Sequence, residues 1–286
     1  ELPEENLFLE PAKRDLAAAI GMSFFKLKSM DYTGPIAILW ADHLMDNVDE
    51  FINALKAGEE LIKENGERFI FMGEKPRFAN HNLGWITVGN EIDEKNGIKI
   101  REFKSWKYRP ELEECKRMFE SGQCLWNPGY WITSINFVLE LYKEHMSDMY
   151  DSLLEIAENP DKLDEIYPTL ESVHFDNAIV EKTDTDEAVV LEVNLGWSDP
   201  GTLYALKEAL EPETEKNVEM GQTLSIESKD CLVINQEPGK IVTSIGLEGF
   251  VIINTEDAIL VVHKDRVNNV KELVNKLSED GFDDFI

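Results

Sequence analysis

The spacing of the apolar segments changes near residue 220, and this change limits what the chain can fold into. Upstream, short apolar runs such as Ile36 to Trp40 and Val189 to Val193 alternate with stretches of helical periodicity. Downstream, apolar runs recur about every ten residues, with turn residues between them. We therefore predict an α/β domain over residues 1–215 and a small all-β appendage, a short solenoid or coiled sheet, over residues 220–286.

The net charge limits the partners of the chain. It has 57 acidic and 28 basic residues, which gives a net charge of −29. Such a field repels nucleic acid and anionic membrane surfaces, so a polyanionic substrate has to be held locally by basic groups or a divalent cation. The sequence shows neither an apolar run of membrane-spanning length nor the character of a signal peptide at its first residues. We expect neither nucleic acid nor a membrane as partner.

The cysteines indicate a reducing compartment. Cys115, Cys124 and Cys231 are an odd number and lack the spacing of a metal-binding motif. An odd number argues against a disulfide framework. We therefore expect a cytoplasmic protein.

Two aspartates follow predicted strands. Ile36 to Trp40 predicts a fully buried strand of a parallel sheet, with Asp42 at its carboxyl end, and Asp199 follows Val189 to Val193 in the same way. Either aspartate can be explained as a helix N-cap, and Asp199 precedes a proline that suits the first helical position. Two carboxylates at neighbouring strand ends also predict a divalent-cation site that suits Mg²⁺ and substrate phosphates.

Three further segments have both a functional and a structural explanation. Asn6 to Glu10 predicts a strand, and the helix Leu16 to Leu27 begins with small residues that admit a flat ligand, although alanine is also the best helix former. The loop Gly122 to Trp131 is rich in aromatic residues, which line sugar sites but mostly pack in cores. Glu171 to Lys182 predicts a short helical segment whose mixed charges are typical of a solvated face.

The remaining segments predict further elements of the α/β domain. These are a helix over Val48 to Glu64, a strand over Phe69 to Met72, antiparallel strands over Ile86 to Val88 and Ile98 to Phe103, and a helix over Thr133 to Ala157 with a break near His145 to Ser147.

Six segments resemble motifs of one known family. They are EPAKRDLAAAI, WADH, CLWNPGYW, ESVHFDNAIVEK, NLGWSDPGT and LEGFVIINTEDAILVVHKDR. In this order and at this spacing they resemble the mannose-1-phosphate guanylyltransferases of the sugar-nucleotide pyrophosphorylase superfamily. The resemblance covers essentially the whole chain.

This resemblance implies both a fold and a reaction. The implied fold is a Rossmann-like, GT-A-like mixed sheet with a short β-helix-like carboxyl-terminal appendage, and family members often form a homodimer. The implied reaction is a nucleotidyl transfer that forms GDP-mannose and pyrophosphate from GTP and mannose 1-phosphate with Mg²⁺.

The resemblance also implies roles for individual residues. Asp42 and Asp199 would hold the cation, and Glu10 would accept from N1–H and the exocyclic amine of guanine. Asn127 and Gly129 would line the sugar, and Asp176 and Glu181 would bind its hydroxyl groups. Arg109, counted with the catalytic residues, or Lys182 would meet the sugar phosphate. The further substrate-binding residues that the motifs imply are Arg14, Ala17 and Gly84.

Two departures from the family motifs leave the sugar open. Tyr108-Arg109-Pro110 stands where the family has E-K-P, and the segment from His81 to Trp85 stands where it has T-G-Y-G-Y. Arg and Lys are not interchangeable at a phosphate site.

The glycine-rich loop of the family, G-G-x-G-T-R followed by P-K, has no match in the chain. We expect either a fragment, a chain completed by a separate amino-terminal segment, or a non-catalytic relative that binds or regulates. A transferase for another sugar phosphate and a purely structural module that assembles through the appendage also stay open.

Overall fold

The computed structural model describes residues 3, 6–81, 83–199, 203–211 and 213–285. Packing divides the chain into two units, Glu1–Trp40 with Asn47–Leu195, and Ala41–Asp46 with Gly196–Ile286. The short segment Ala41–Asp46 thus packs with the carboxyl-terminal part of the chain, although it is distant in sequence. The predicted domain boundary between residues 215 and 220 stays a prediction.

The first unit combines a sheet with helices. Its strands are β1 (Ile36–Ile38), β2 (Phe69–Glu74), β3 (Gly84–Lys95), β4 (Ile98–Tyr108), β5 (Cys124–Asn127), β6 (Trp131–Thr133) and β7 (Ala188–Val193). Its helices are α1 (Asp15–Ser29), α2 (Val48–Glu64), α3 (Leu112–Ser121), α4 (Ile135–His145), α5 (Ser147–Glu158), α6 (Leu163–Ile166) and α7 (Phe175–Ala178).

The sheet of the first unit has seven strands in the order β1-β6-β2-β5-β3-β4-β7, and β2 also pairs with β7. β2 and β7 are parallel, whereas β2 pairs antiparallel with β5 and β6. Every residue of β2 is buried. Its first four residues are apolar, as expected for a strand that is covered on both faces. The predicted mixed α/β fold is confirmed.

Aromatic side chains form much of the core of this unit. The rings of Phe71 and Phe103 stack with centroids 4.8 Å apart. Trp131 contacts Phe175 at 5.4 Å and Phe69 at 6.1 Å. Such rings bury large apolar areas, so a few of them account for much of the packing.

Several predicted elements are confirmed. α2 has the predicted bounds, and the break predicted near His145 separates α4 from α5. The side chain of Asn47 caps α2 by accepting from the Glu50 amide, so Asp42 is not the N-cap of this helix. The N-cap explanation for Asp199 involves Pro200, which lies outside the described residues.

Four expectations are wrong. The segment Gly122 to Trp131 is not one loop, because it contains β5 and the first residue of β6. β1 is neither fully buried nor parallel, since it is a three-residue edge strand that pairs antiparallel with β6. Residues 7–10 form no strand, and Leu7 and Leu9 are 62% and 70% exposed, because their alternation meets no partner strand among the described residues. Glu171 to Lys182 is not one helix, because its helical part consists of α7 and a separate 3₁₀ turn over Val180–Lys182.

The second unit contains strands β8 (Val218–Met220), β9 (Thr223–Ile226), β10 (Leu232–Asn235), β11 (Val242–Ile245), β12 (Phe250–Asn254) and β13 (Ile259–His263), with helices α8 (Leu203–Leu210) and α9 (Val270–Glu279). β8, β10 and β12 pair in parallel in one sheet, and β9 and β11 pair in parallel in another. From β8 to β12, successive strands alternate between the two sheets, so the chain coils as a short β-helix, and β13 then pairs antiparallel with β12 in the first sheet. The predicted β-helix-like appendage is confirmed.

Candidate functional site

The two predicted metal ligands lie in the second unit, near one histidine. Leu44 N–H donates to the Ser198 carbonyl, and Ser198 N–H donates to the Leu44 carbonyl, each at 3.0 Å. This two-way bridge brings the segments that contain Asp42 and Asp199 side by side. The Nε2 atom of His43 lies 3.8 Å from Oδ1 of Asp199, and both carboxylate charges act on the imidazole.

Trp197 contacts the other ring nitrogen of His43. Its indole N–H donates to Nδ1 of His43 at 3.0 Å, and the two rings meet edge to face at 5.3 Å. Burial lowers the pKa of His43 below its ordinary value of 6.5, against the opposing effects of Asp199 and Asp42. The imidazole is therefore neutral at pH 7, and because Nδ1 accepts, its proton is on Nε2.

Gly196 permits the close approach of the two segments. Its φ is +63°, and a Cβ atom there would lie 2.9 Å from Cβ of Asp46. A side chain would meet both a strained backbone conformation and a steric clash. The glycine of the NLGW motif is thus explained by packing within the second unit.

The carboxylate pair can be compared with what Mg²⁺ requires. Asp42 is exposed and the Asp199 side chain is 38% exposed, so both can reach an ion from solvent. Among the described residues, no group of three or more His, Cys, Asp or Glu side chains is placed to hold a metal. Mg²⁺ is commonly held by one or two carboxylates together with substrate phosphates and water. The donor types of the two aspartates are those that Mg²⁺ takes when it binds together with a phosphorylated substrate.

Two glutamates in the first unit hold the carboxyl end of β7. Glu74 is fully buried, accepts from Leu195 N–H at 2.7 Å, and pairs with Arg77 at 3.4 Å. Glu50 accepts from Asn194 N–H at 2.6 Å. The sequence analysis missed both residues, although an acidic residue directly after the apolar run of β2 was a visible signal for Glu74.

The predicted base-reading residues lie at the start of α1. The buried Tyr167 donates its hydroxyl to the Glu10 carboxylate, and Arg14 donates to the carbonyl of Pro168. Burial, together with the Glu10 carboxylate, raises the pKa of Tyr167, so its hydroxyl stays a donor. One oxygen of Glu10 is therefore oriented by the protein.

Ala17 lies in the core rather than at the surface. It is 0% exposed, its amide donates to Val173 at 3.1 Å, and its carbonyl accepts from the Tyr142 hydroxyl at 2.6 Å. These contacts leave Ala17 no exposed atom for a ligand in this conformation.

The predicted sugar-lining residues lie together at the ends of β3 and β5. Gly84 pairs with Asn127, and a Cβ atom at Gly84 would lie 3.4 Å from Cβ of Asn127. Asn127 Oδ1 accepts from Gly129 N–H at 3.1 Å. Gly129 has a φ of +75°, and a Cβ atom there would lie 2.7 Å from the indole nitrogen of Trp40, so this turn requires glycine.

Arg109 joins the same end of the sheet through its backbone. Its amide donates to Leu83 at 3.1 Å, and its exposed guanidinium lies 4.9 Å from the centre of the Tyr108 ring. Its φ of 45° is unusual for a residue with a side chain.

The remaining predicted residues are on α7 and the turn after it. Burial raises the pKa of Asp176, and the nearby Glu181 carboxylate adds to this effect. Asn177 donates to Glu181 at 3.2 Å, and Lys182 is exposed. Among the described residues, no hydrogen bond or ion pair connects this group with Glu10 or Asn127.

The fold and these motifs are those of a nucleotidyltransferase domain. The chain belongs to the nucleotidyl transferase family, whose model matches residues 2–216. Residues 221–277 match the MannoseP isomerase/GMP-like beta-helix domain. A crystal structure described as mannose-1-phosphate geranyltransferase from Thermus thermophilus shares the fold, with a TM-score of 0.80 and 23% identity over 95% of this chain and 78% of that one.

Two curated relatives extend the comparison. The alginate biosynthesis protein AlgA of Pseudomonas putida is 28% identical over 98% of this chain and 58% of its own length. A mannose-1-phosphate guanylyltransferase of Escherichia coli is 26% identical over 97% of this chain and 61% of its own length. The chain thus spans about three fifths of these relatives. Among the described residues, no helix has the length and apolar character needed to cross a bilayer.

Proposed function

We propose that this protein forms GDP-mannose and pyrophosphate from GTP and mannose 1-phosphate in the cytoplasm. The observation that supports this most is the placement of Asp42 and Asp199, from two distant motifs, near the same imidazole. The family match and a relative named mannose-1-phosphate guanylyltransferase point to the same reaction class. We also propose a homodimer, for which the exposed outward side chains of Leu224, Ile226 and Ile245 provide an apolar surface.

In this proposal Asp42 and Asp199 hold Mg²⁺, which neutralises charge on the substrate phosphates when it is bound. In-line displacement at phosphorus needs no protein nucleophile, so the other residues bind and orient the two substrates. Glu10, oriented by Tyr167, accepts from the guanine edge, and Arg14 supports the same region.

The sugar phosphate is assigned to a second set of residues. Asn127 and Gly129, shaped by the close packing at Gly84, line the sugar. Asp176 and Glu181 accept from its hydroxyl groups, and Arg109 or Lys182 binds its phosphate, since guanidinium and ammonium groups both pair with phosphate. Because Ala17 is buried, we assign it a packing role only.

The test is pyrophosphate release from GTP and mannose 1-phosphate by the native protein from its source cells. We expect Mg²⁺-dependent release, and a loss of about 100-fold or more in Asp42→Asn and Asp199→Asn, because each substitution removes an anionic ligand. Asp265→Asn, an exposed aspartate of the same unit, is the matched control and should retain the rate.

Two results would contradict this proposal in different ways. Unchanged rates in both variants would show that the metal assignment is wrong. Saturable binding of GDP-mannose without any pyrophosphate release would show a non-catalytic relative instead.

A further inference from the structure

Gly84 lies between three larger residues at one end of the sheet of the first unit. Its partner on β4 is Tyr108, and its partner on β5 is Asn127. Directly opposed residues of neighbouring strands point to the same face of a sheet, and Trp106, two positions before Tyr108, shares that face. Gly84 is thus the one position of this group without a side chain.

Two nitrogen atoms border the space that a side chain at Gly84 would occupy. A Cβ atom there would lie 3.3 Å from Nε1 of Trp106, 3.4 Å from Cβ of Asn127 and 3.7 Å from Nδ2 of Asn127. The atom of Trp106 nearest to this space is therefore its indole nitrogen. An oxygen atom bound over Gly84 would be close to two N–H donors.

The indole nitrogen of Trp106 is buried, and in the part of the chain that the structure describes it has no hydrogen-bond partner. Buried indole N–H groups usually have an acceptor, because an unpaired one costs free energy. The ring is held by other contacts, since it packs against the apolar core and stacks on Tyr108 at 15° with centroids 5.9 Å apart. The side chain as a whole is only half-buried, so its donor lies near the surface.

The side chain of Asn127 presents the second donor. Its Oδ1 accepts from Gly129 N–H at 3.1 Å, which fixes the orientation of the amide. Nδ2, which can only donate, is then the amide end next to the space over Gly84. Two donors that border one space favour an oxygen atom that accepts from both.

We propose that the Trp106 indole and the Asn127 amide donate to one hydroxyl oxygen of the sugar in the space over Gly84. Trp106 is then a further substrate-binding residue, and a site built to bind a hydroxyl group rejects sugars that lack it. The neutral donors suit a hydroxyl oxygen, whereas the phosphate is assigned to the cation of Arg109 or Lys182. This inference rests on the proposed function, which places the sugar at Asn127.

Trp106→Phe separates binding from packing. Phenylalanine keeps an aromatic ring beside Tyr108 and removes the N–H, so a residue that only packs should change stability and not sugar binding. We expect the affinity for GDP-mannose to fall about 2–12-fold, the range of one neutral hydrogen bond, and the affinity for GDP, which has no sugar, to stay unchanged.

Trp131→Phe is the matched control for this variant. Its indole nitrogen is also buried and without a hydrogen-bond partner among the described residues, but the ring lies in the core against Phe69 and Phe175. Loss of an N–H at that position should leave the affinity for GDP-mannose equal to that of the wild type.

Gly84→Ala tests the same space from the other side, and it does so even if Trp106→Phe fails to fold. Gly84 is not among the residues with a positive φ, so alanine suits its backbone. The added methyl group occupies the place of the hydroxyl oxygen and should weaken GDP-mannose binding at least as much as Trp106→Phe does. Gly66→Ala is the control, because a Cβ atom there would meet its nearest neighbour at 3.8 Å, an ordinary contact.

The affinities are measured by isothermal titration calorimetry of the native protein with GDP-mannose and with GDP. In protein labelled with ¹⁵N on tryptophan, the Trp106 indole signal should shift with GDP-mannose and much less with GDP. GDP-sugars that each lack one hydroxyl group then identify the acceptor. One of them should lose little further affinity in Trp106→Phe, because both changes remove the same hydrogen bond.

The outcomes separate this inference from the proposed function. Unchanged GDP-mannose affinity in folded Trp106→Phe or in Gly84→Ala would overturn the inference and leave the proposed function intact. An equal loss for GDP, or an effect of Trp106→Phe that is the same for every deoxy sugar, would also overturn the hydroxyl assignment alone. A wild-type protein that binds GDP but gains nothing from the mannose would overturn the proposed substrate and the inference with it.

Discussion

The interiors of both units are largely apolar, but the second unit also encloses an ion pair whose two partners are both buried. In the first unit, large apolar and aromatic side chains such as Phe71, Ile86 and Trp131 are at most 1% exposed. In the second unit, Lys207 and Asp230 are 1% and 2% exposed. A short coil encloses little apolar volume, so paired polar groups that demand one geometry occupy part of its interior.

Asp230 lies at the centre of a buried charge cluster in the second unit. Asp230 accepts from the Tyr204 hydroxyl at 2.7 Å and pairs with Lys264 at 2.6 Å and with Lys207 at 2.8 Å. Burial by itself raises the pKa of Asp230, but these three partners outweigh it and lower the pKa below its ordinary value of 3.8. The carboxylate therefore stays ionised inside the unit.

The largest change in the free energy of unfolding is expected at this cluster. Asp230→Ala leaves Lys207 buried without its carboxylate, and breaking such a pair typically costs about 3–5 kcal/mol of the free energy of unfolding. Urea titration at pH 7 measures the change. Adding Lys207→Met to this variant removes the buried cation as well, so the double variant should cost less. An Asp230→Ala cost under about 1 kcal/mol, the value of an exposed ion pair, would remove the contrast between the units.

The same cluster sets a pH dependence. Because the folded pKa of Asp230 is lower than its unfolded value, its stabilisation is complete above about pH 4 and is lost as the pH falls through the folded pKa. The difference in stability between wild type and Asp230→Ala should therefore shrink in acid.

A smaller effect is expected in the asparagine pair of the coil. Asn254 donates to Asn235 at 2.7 Å, and Asn235 donates to the carbonyls of Gln222 and Lys240. Asn235→Ala leaves these groups unpaired and should cost about 1–3 kcal/mol in the same titration. The double substitution of Asn235 and Asn254 by Leu should cost less than the sum of the two single changes, and full additivity would show that the two amides are not coupled.

The smallest change in the free energy of unfolding is expected in the first unit. Ile86→Val removes one methylene group from a fully buried site and should lower the free energy of unfolding by about 0.5–1.5 kcal/mol. A loss larger than that of Asp230→Ala would reverse the comparison, because it would show that the aromatic core tolerates less change than the buried charge cluster.

Much of the fold followed from local patterns. The helix Val48–Glu64 and the strand Ala188–Val193 were found from periodicity, since amphipathic spacing and a continuous apolar run each indicate one element. The β-helix-like appendage was predicted from the turn residues that recur between its apolar runs. β1 was misjudged because an apolar run does not reveal how many neighbouring strands will cover it.

The candidate site followed only in part. Motifs indicated Asp42 and Asp199, but His43, Trp197 and Glu74 were missed, because their roles depend on contacts between segments that are far apart in sequence. Ala17 was wrongly predicted to bind substrate, and it is buried. A run of small residues at the start of a helix is typical of close packing as well as of a ligand surface.

The sequence by itself determined the types of most elements, the change from α/β to coiled β structure, and the two aspartate motifs, because these depend on neighbours within a few positions. Only the tertiary structure decided that Ala41–Asp46 packs with the carboxyl-terminal unit. It also decided that one neutral imidazole lies between the Trp197 indole and the Asp199 carboxylate. Such pairings depend on which distant backbone segments meet, and local spacing does not encode that.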